Sequence, residues 1–104
     1  MPRSLSCTSL DLSHNQMGDG AAAALAALLE EGAMPNLKML QLGDNQIGDD
    51  GVAALASALR GGALPACTTI VLGGNPGSDA PVKEALASPE RAAALARRRD
   101  EPSA

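Results

Sequence analysis

The sequence predicts an α/β fold, a right-handed βα solenoid of about three repeats followed by a C-terminal helix. Three observations predict it. Asn15, Asn45 and Asn75 stand thirty residues apart, and three apolar columns keep the same step: Cys7/Leu37/Cys67, Leu10/Leu40/Ile70 and Leu12/Leu42/Leu72. Whole segments also return, Asn15-Gln16-Met17-Gly18-Asp19 as Asn45-Gln46-Ile47-Gly48-Asp49, and Gly32-Ala33-Met34-Pro35 as Gly62-Ala63-Leu64-Pro65. Within a unit, a two-residue apolar spacing before the Asn gives way to a four-residue spacing after it. A fixed period in this range means stacked units, each of which buries its apolar face only against its neighbours.

The middle unit is the most regular. Leu40 and Leu42 are two apart and share one side of a short strand that faces the core, which leaves Met39, Gln41 and Gly43 toward solvent. Asn45 ends that strand, because an Asn amide bonds turning backbone and Asn accepts unusual φ/ψ angles. Stacked in successive coils, Asn15, Asn45 and Asn75 form a structural ladder that satisfies loop groups no sheet reaches. A helix follows, with Ala21, Leu25 and Leu29 on one stripe in the first unit and Gly51, Leu55 and Leu59 in the second. Asp49 and Asp50 lie at the helix start, where side-chain capping and the helix dipole favour carboxylates. Gly32 and Gly62 stop the helices in the C′ position, and Pro35 and Pro65 prevent continuation. A strand–helix–strand crossover makes the strands parallel and the coil right-handed.

The third unit is shorter. Gly73-Gly74-Asn75-Pro76-Gly77 lacks the apolar residue after the Asn, and Asp79–Leu86 reads as a short helix with Pro81 near its start. Ser88-Pro89-Glu90 then opens another helix, with Ser88 as N-cap and Pro89 in the first turn. Ala92, Leu95 and Ala96 are expected to lie over the last coil, Arg97 to Arg99 to face the negative end of the helix dipole, and residues 100–104 to fray. The chain therefore divides into an array over residues 1–87, with repeats of about 7–36, 37–66 and 67–87, and a capping helix with its tail over 88–104.

On these residues the chain resembles the ribonuclease-inhibitor type of leucine-rich repeat. The resemblance runs through Leu37/Leu40/Leu42/Asn45/Ile47, Gly48-Asp49-Asp50-Gly51, Leu55, Leu59 and Gly62-Ala63-Leu64-Pro65, and through Cys7/Leu10/Leu12/Asn15/Met17 with Leu25 and Leu29. It covers about residues 5 to 87. It implies a horseshoe segment with strands on the concave face and helices on the convex face. Proteins of this type include cytoplasmic enzyme inhibitors, innate immune sensors and the Ran GTPase-activating protein. The period here is slightly longer than usual for the type, and three repeats are near the minimum for a stable array.

Composition narrows the function. The 104 residues contain no Phe, Trp or Tyr although 45% are hydrophobic, so the core is built of Leu and Ala with Val, Ile and Met. Tight interfaces draw on Trp, Tyr and Arg, so a surface without aromatics binds modestly. A net charge of −4 argues against nucleic acid as partner. No apolar run reaches bilayer length, and the N-terminus shows no apolar h-region, which gives no membrane partner and a cytoplasmic expectation. Cys7 and Cys67 lie two coils apart, beyond disulfide reach, and read as free buried thiols.

No catalytic, metal or cofactor constellation emerges. Ser13 and His14 are adjacent on a strand and point to opposite faces, so with Asp11 they make no nucleophilic triad. One His and two Cys on different coils do not give zinc spacing. The glycine-rich turns lack the lysine of a phosphate loop. His14 and Asp44 are expected to pair across coils at the surface, as are Glu30 and Arg60. The remaining candidate is the solvent face of the strands. Its expected contact residues are Asp11, Lys38, Met39, Gln41, Asp44 and Val71, with Met39 and Val71 the apolar members.

The expected function is a non-enzymatic protein–protein interaction module. The alternatives are an end piece of a larger, immune-sensor-like array, or a regulator of a small GTPase by likeness of fold. The first strand has no capping unit before it, so self-association through that edge is a further expectation.

Overall fold

The computed structural model describes residues 8–100, with the side chains of 97–100 outside that description. Cys7 and the side chains of Arg97 to Arg99 therefore lie outside the described residues. Elements alternate as the period demands: β1 (Ser9–Asp11), α1 (Asp19–Glu30), β2 (Met39–Gln41), α2 (Asp49–Arg60), β3 (Thr69–Val71), α3 (Ala80–Leu86) and α4 (Pro89–Asp100). The three strands form one parallel sheet in the order β1-β2-β3. Leu10, Leu40 and Ile70 are partners across it, so the thirty-residue period and the strand register coincide.

Burial follows the columns. Leu40 and Leu42 are buried, as are Leu37, Ile47, Leu55 and Leu59, between the sheet and the helices. In the first coil Leu10 and Leu12 are only half-buried. α1 turns Ala22, Ala26 and Leu29 inward, with Leu25 at the margin. Ala21, expected on that stripe, is exposed. Its counterpart in α2, Gly51, is buried against Asp19 and Ala22 of α1, so this position is covered only where a preceding coil packs on it. Gly43 also departs from expectation. It is buried, and a Cβ there would stand 3.2 Å from the Gly73 carbonyl oxygen, so the third coil closes over it.

Helices α1 and α2 end alike. The Gly32 amide donates to Leu29 O and the Ala33 amide to Leu28 O; Gly62 and Ala63 repeat the pattern on Leu59 and Ala58. Gly32 and Gly62 hold φ of 100° and 97°, the left-handed turn that glycine adopts without a Cβ penalty. The helix starts differ from expectation. Gly48 occupies the N-cap of α2 and neither Asp49 nor Asp50 caps its own helix. The cap comes from the preceding coil: Asp19 Oδ1 accepts the amides of Gly48 at 2.6 Å and Gly51 at 3.0 Å. Asp49 repeats this one coil later, accepting the Ser78 amide at 3.3 Å.

In α4 the inward residues are Arg91 and Ala94 rather than Ala92, which is exposed; Leu95 and Ala96 are half-buried. Ser88 is the N-cap, with its Oγ accepting the Arg91 amide at 3.2 Å. Arg60 lies 3.9 Å from Glu90 of α4 and not against Glu30, because α4 crosses the end of α2 where the sequence pattern placed only the α1 neighbour. Cys67 is a buried free thiol.

Candidate binding face

The sheet presents its outward side chains in two rows. One row is Ser9, Met39 and Thr69; the next is Asp11, Gln41 and Val71. Met39 is 37% exposed and Val71 40%, on adjacent strands and adjacent rows. Asp11, Lys38 and Asp44 are exposed and Gln41 is half-buried. Gln41 Nε2 lies 3.6 Å from the Met39 sulfur. Asp11, Gln41 and Val71 thus form a single outward row with Met39 in the row beside them, while Lys38 precedes β2 and Asp44 follows it along the chain.

At the C-terminal ends of the strands the parallel bonding continues past the sheet. The His14 amide donates to Gly43 O and the Asp44 amide to Gly73 O. His14, Asp44 and Gly74, thirty residues apart, all hold left-handed backbone, with φ of 62°, 55° and 83°. A Cβ at Gly74 would collide with the Asp44 carboxylate, so only glycine fits there beside Asp44. His14 Nε2 is 3.5 Å from Asp44 Oδ2, with both side chains mostly exposed, a pair that contributes about 0–1 kcal/mol. Asp11 accepts the Ser13 amide at 2.9 Å. That backbone N–H first, and the Ser13 hydroxyl second, hold its carboxyl below the ordinary value of 3.8. Asp11 is therefore tied into its own turn chiefly through Ser13, with His14 a smaller influence in the same direction.

Behind this face the asparagines tie the coils together. Asn45 Oδ1 accepts the amides of Asn15 at 2.8 Å and Met17 at 3.0 Å, and its Nδ2 donates to Leu12 O and Leu42 O, both at 2.9 Å. Asn75 Oδ1 accepts the Ile47 amide at 3.1 Å while its Nδ2 donates to Leu42 O and Leu72 O. Asn15 is exposed and its Nδ2 donates to Ser13 O of its own coil. Two sets of residues with structural work escaped the sequence reading. Asp49 is expected at the start of its own helix, but it and Asp19 bond the next coil instead, and their recurrence thirty residues apart is the available signal. Arg91, buried with its guanidinium on three carbonyls, carried none, since a lone Arg in a polar helix reads as exposed.

The family described as Leucine Rich repeat matches residues 8–26 and 33–56, which take in β1, β2 and most of α1 and α2. The chain contains leucine-rich repeats. Such repeats generally mediate protein–protein interaction and are typically non-enzymatic. No curated protein and no solved structure matches the chain. Among the described residues of this repeat chain, no helix is long and apolar enough to cross a membrane.

Proposed function

We propose that this leucine-rich repeat chain is a cytoplasmic protein-interaction module of the ribonuclease-inhibitor type, coiled right-handed. Residues 1–87 form its array and 88–104 its cap. Its partner docks on the strand face through Asp11, Lys38, Met39, Gln41, Asp44 and Val71. The asparagines at 15, 45 and 75 keep that face rigid. One observation carries the reading: Met39 and Val71 are apolar, more than a third exposed, and diagonal neighbours on adjacent strands whose outward side chains are otherwise polar. Apolar side chains with no core role on a rigid platform are what a partner covers. Without aromatic anchors the affinity is modest, at micromolar rather than nanomolar strength.

The test is affinity capture with the wild type, with Met39→Glu plus Gln41→Arg, and with Ala53→Glu on the exposed side of α2 as control. The double variant is expected to lose the partner that wild type and control retain. A folded double variant that captures the same partner would remove the strand face from consideration.

A second reading is self-association through the first coil. It is supported by Leu28, 56% exposed on α1, together with the half-buried Leu10, Leu12 and Leu25.

A further inference from the structure

The thirty-residue register ends after Leu86. Glu31 and Gly61 are the C-caps of α1 and α2. Thirty residues further on, Arg91 is instead the third residue of a new helix. The strand columns at positions 9–11, 39–41 and 69–71 continue at 99 and 100, which belong to α4. Helix therefore stands where a fourth strand would begin.

Among the described side chains, what holds α4 there is concentrated in one. Arg91 is 4% exposed. Its Nη1 donates to Leu59 O at 3.0 Å and Ala63 O at 2.6 Å, and its Nη2 donates to Leu64 O at 2.6 Å. These carbonyls belong to the last turn of α2 and the loop that leads to β3. The end of α2 carries the negative pole of its dipole, so a cation is favoured there. Leu59 O already accepts the Gly62 amide and Leu64 O the Cys67 amide, so the guanidinium adds a second, charged donor to each. Among the described side chains the rest of the grip is thin. Ala94 is buried but small, Leu95 and Ala96 are half-buried, and Ala92 and Ala93 face solvent. The Arg60–Glu90 pair is long and largely exposed. Ser88 ties the start of α4 to α3, with Oγ donating to Ala85 O at 2.8 Å. That bond is a hinge point rather than a clamp on the helix body. By contrast α2 contributes Val52, Leu55, Ala56 and Leu59 to the common core.

We propose that α4 is a strap that opens as a unit while the three coils stay folded, and that Arg91 holds it shut. Closed, the strap ends the array at β3. Open, it returns the Leu59, Ala63 and Leu64 carbonyls to water and frees the end of the stack. The inference rests on the proposed division at residue 88 and is independent of the strand-face reading.

Amide hydrogen exchange on the full chain tests it, with R91A and with A94E as a second way of loosening the same helix. In wild type the amides of residues 92–96 are expected to exchange faster than those of 52–56 in α2. R91A is expected to speed the α4 amides by about 100-fold, with the α2 amides changing little. A94E is expected to give the same separation, and it decides the matter should R91A unfold altogether. Two results overturn the proposal. One is unchanged protection of α4 in both variants. The other is loss of protection in α4 and α2 together in both, since α4 then opens only with the whole molecule. Neither result bears on partner capture by Met39 and Gln41.

Discussion

Asn45 bonds to backbone on both sides of the first coil–coil boundary, and it is 5% exposed. Removing its amide takes the partner from the amides of Asn15 and Met17 and from the carbonyl of Leu12, all at a part-buried boundary. Asn45→Ala is expected to cost about 2–4 kcal/mol, because each buried group left unpaired carries its own desolvation penalty. Asn15→Ala, at an exposed position bonded only within its own turn, is expected to cost under about 1 kcal/mol. Equilibrium urea unfolding of the two variants checks the ratio, and equal losses would contradict the account. Titration separates two other residues. Asp11 has its folded value depressed by Ser13, so its contribution is present above the ordinary carboxylate range and is lost as pH falls through the folded value. The Ser13 amide shift, followed by NMR, should titrate with a midpoint below 3.8. Cys67 behaves oppositely. Burial pushes its thiol above the ordinary 9.0, although a backbone hydrogen bond at Thr69 and the charge of Arg91 pull the other way. The neutral thiol is thus favoured in the fold, and that stability is present below the unfolded value and lost as pH rises through the folded one. Iodoacetamide at pH 8 should alkylate Cys67 far more slowly in the native chain than in urea.

Among the elements, α2 shows a propensity rule losing to packing. Gly51 lies inside the helix, where Ala would ordinarily gain about 1 kcal/mol. A Cβ there would stand 2.7 Å from both Asp19 Oδ1 and Ile47 Cγ2, and 3.0 Å from the Ala22 Cβ. The cross-coil cap needs that space, so Gly51→Ala is expected to destabilise by about 1–3 kcal/mol. Gly20 in α1 has nothing within 4 Å of the added atom, and Gly20→Ala is expected to stabilise by about 0.5–1 kcal/mol. Opposite shifts in melting temperature would confirm both signs, and a stabilising Gly51→Ala would sink the crowding argument. The third coil shows a related substitution in the backbone. The Gln46 amide donates to Met17 O, but Pro76 in the same position has no amide, and Gly77 donates to Ile47 O in its place. A side chain at Gly77 would meet the Gly48 carbonyl carbon at 2.6 Å, so the apolar residue missing after Asn75 is excluded by that closer approach.

At the scale of the molecule, coils add one neighbour at a time, so each end differs from the middle. Leu40 and Leu42 are almost fully buried while Leu10 and Leu12 are half-exposed. If the first coil pairs with a second copy, Leu28→Glu should shift sedimentation from a concentration-dependent average mass to that of the monomer. A wild type that sediments as monomer at all concentrations would dismiss self-association. Much of this organisation was legible in the sequence. The period set the register, since Leu10, Leu40 and Ile70 had to be partners once the coils stacked. Gly32 and Gly62 marked the helix ends through the one conformation that glycine favours. The strand face was legible because alternation assigns Met39, Gln41 and Val71 to the side opposite Leu40 and Ile70.

The rest was not local. Whether Asp19 caps its own helix or the next one depends on which amide the neighbouring coil brings to it, and no residue spacing within α1 carries that distance. Gly43 is buried because Gly73 closes over it, and Gly51 is buried against α1 while Ala21, thirty residues earlier, is exposed. Arg91 has the chemistry of a surface residue, and the carbonyls of Leu59, Ala63 and Leu64 make its burial favourable. The sequence by itself determined the unit and its repetition, because periodicity is a property of the chain. The tertiary structure decided which polar groups cross from one coil to the next, because those bonds exist only when separate coils come into contact.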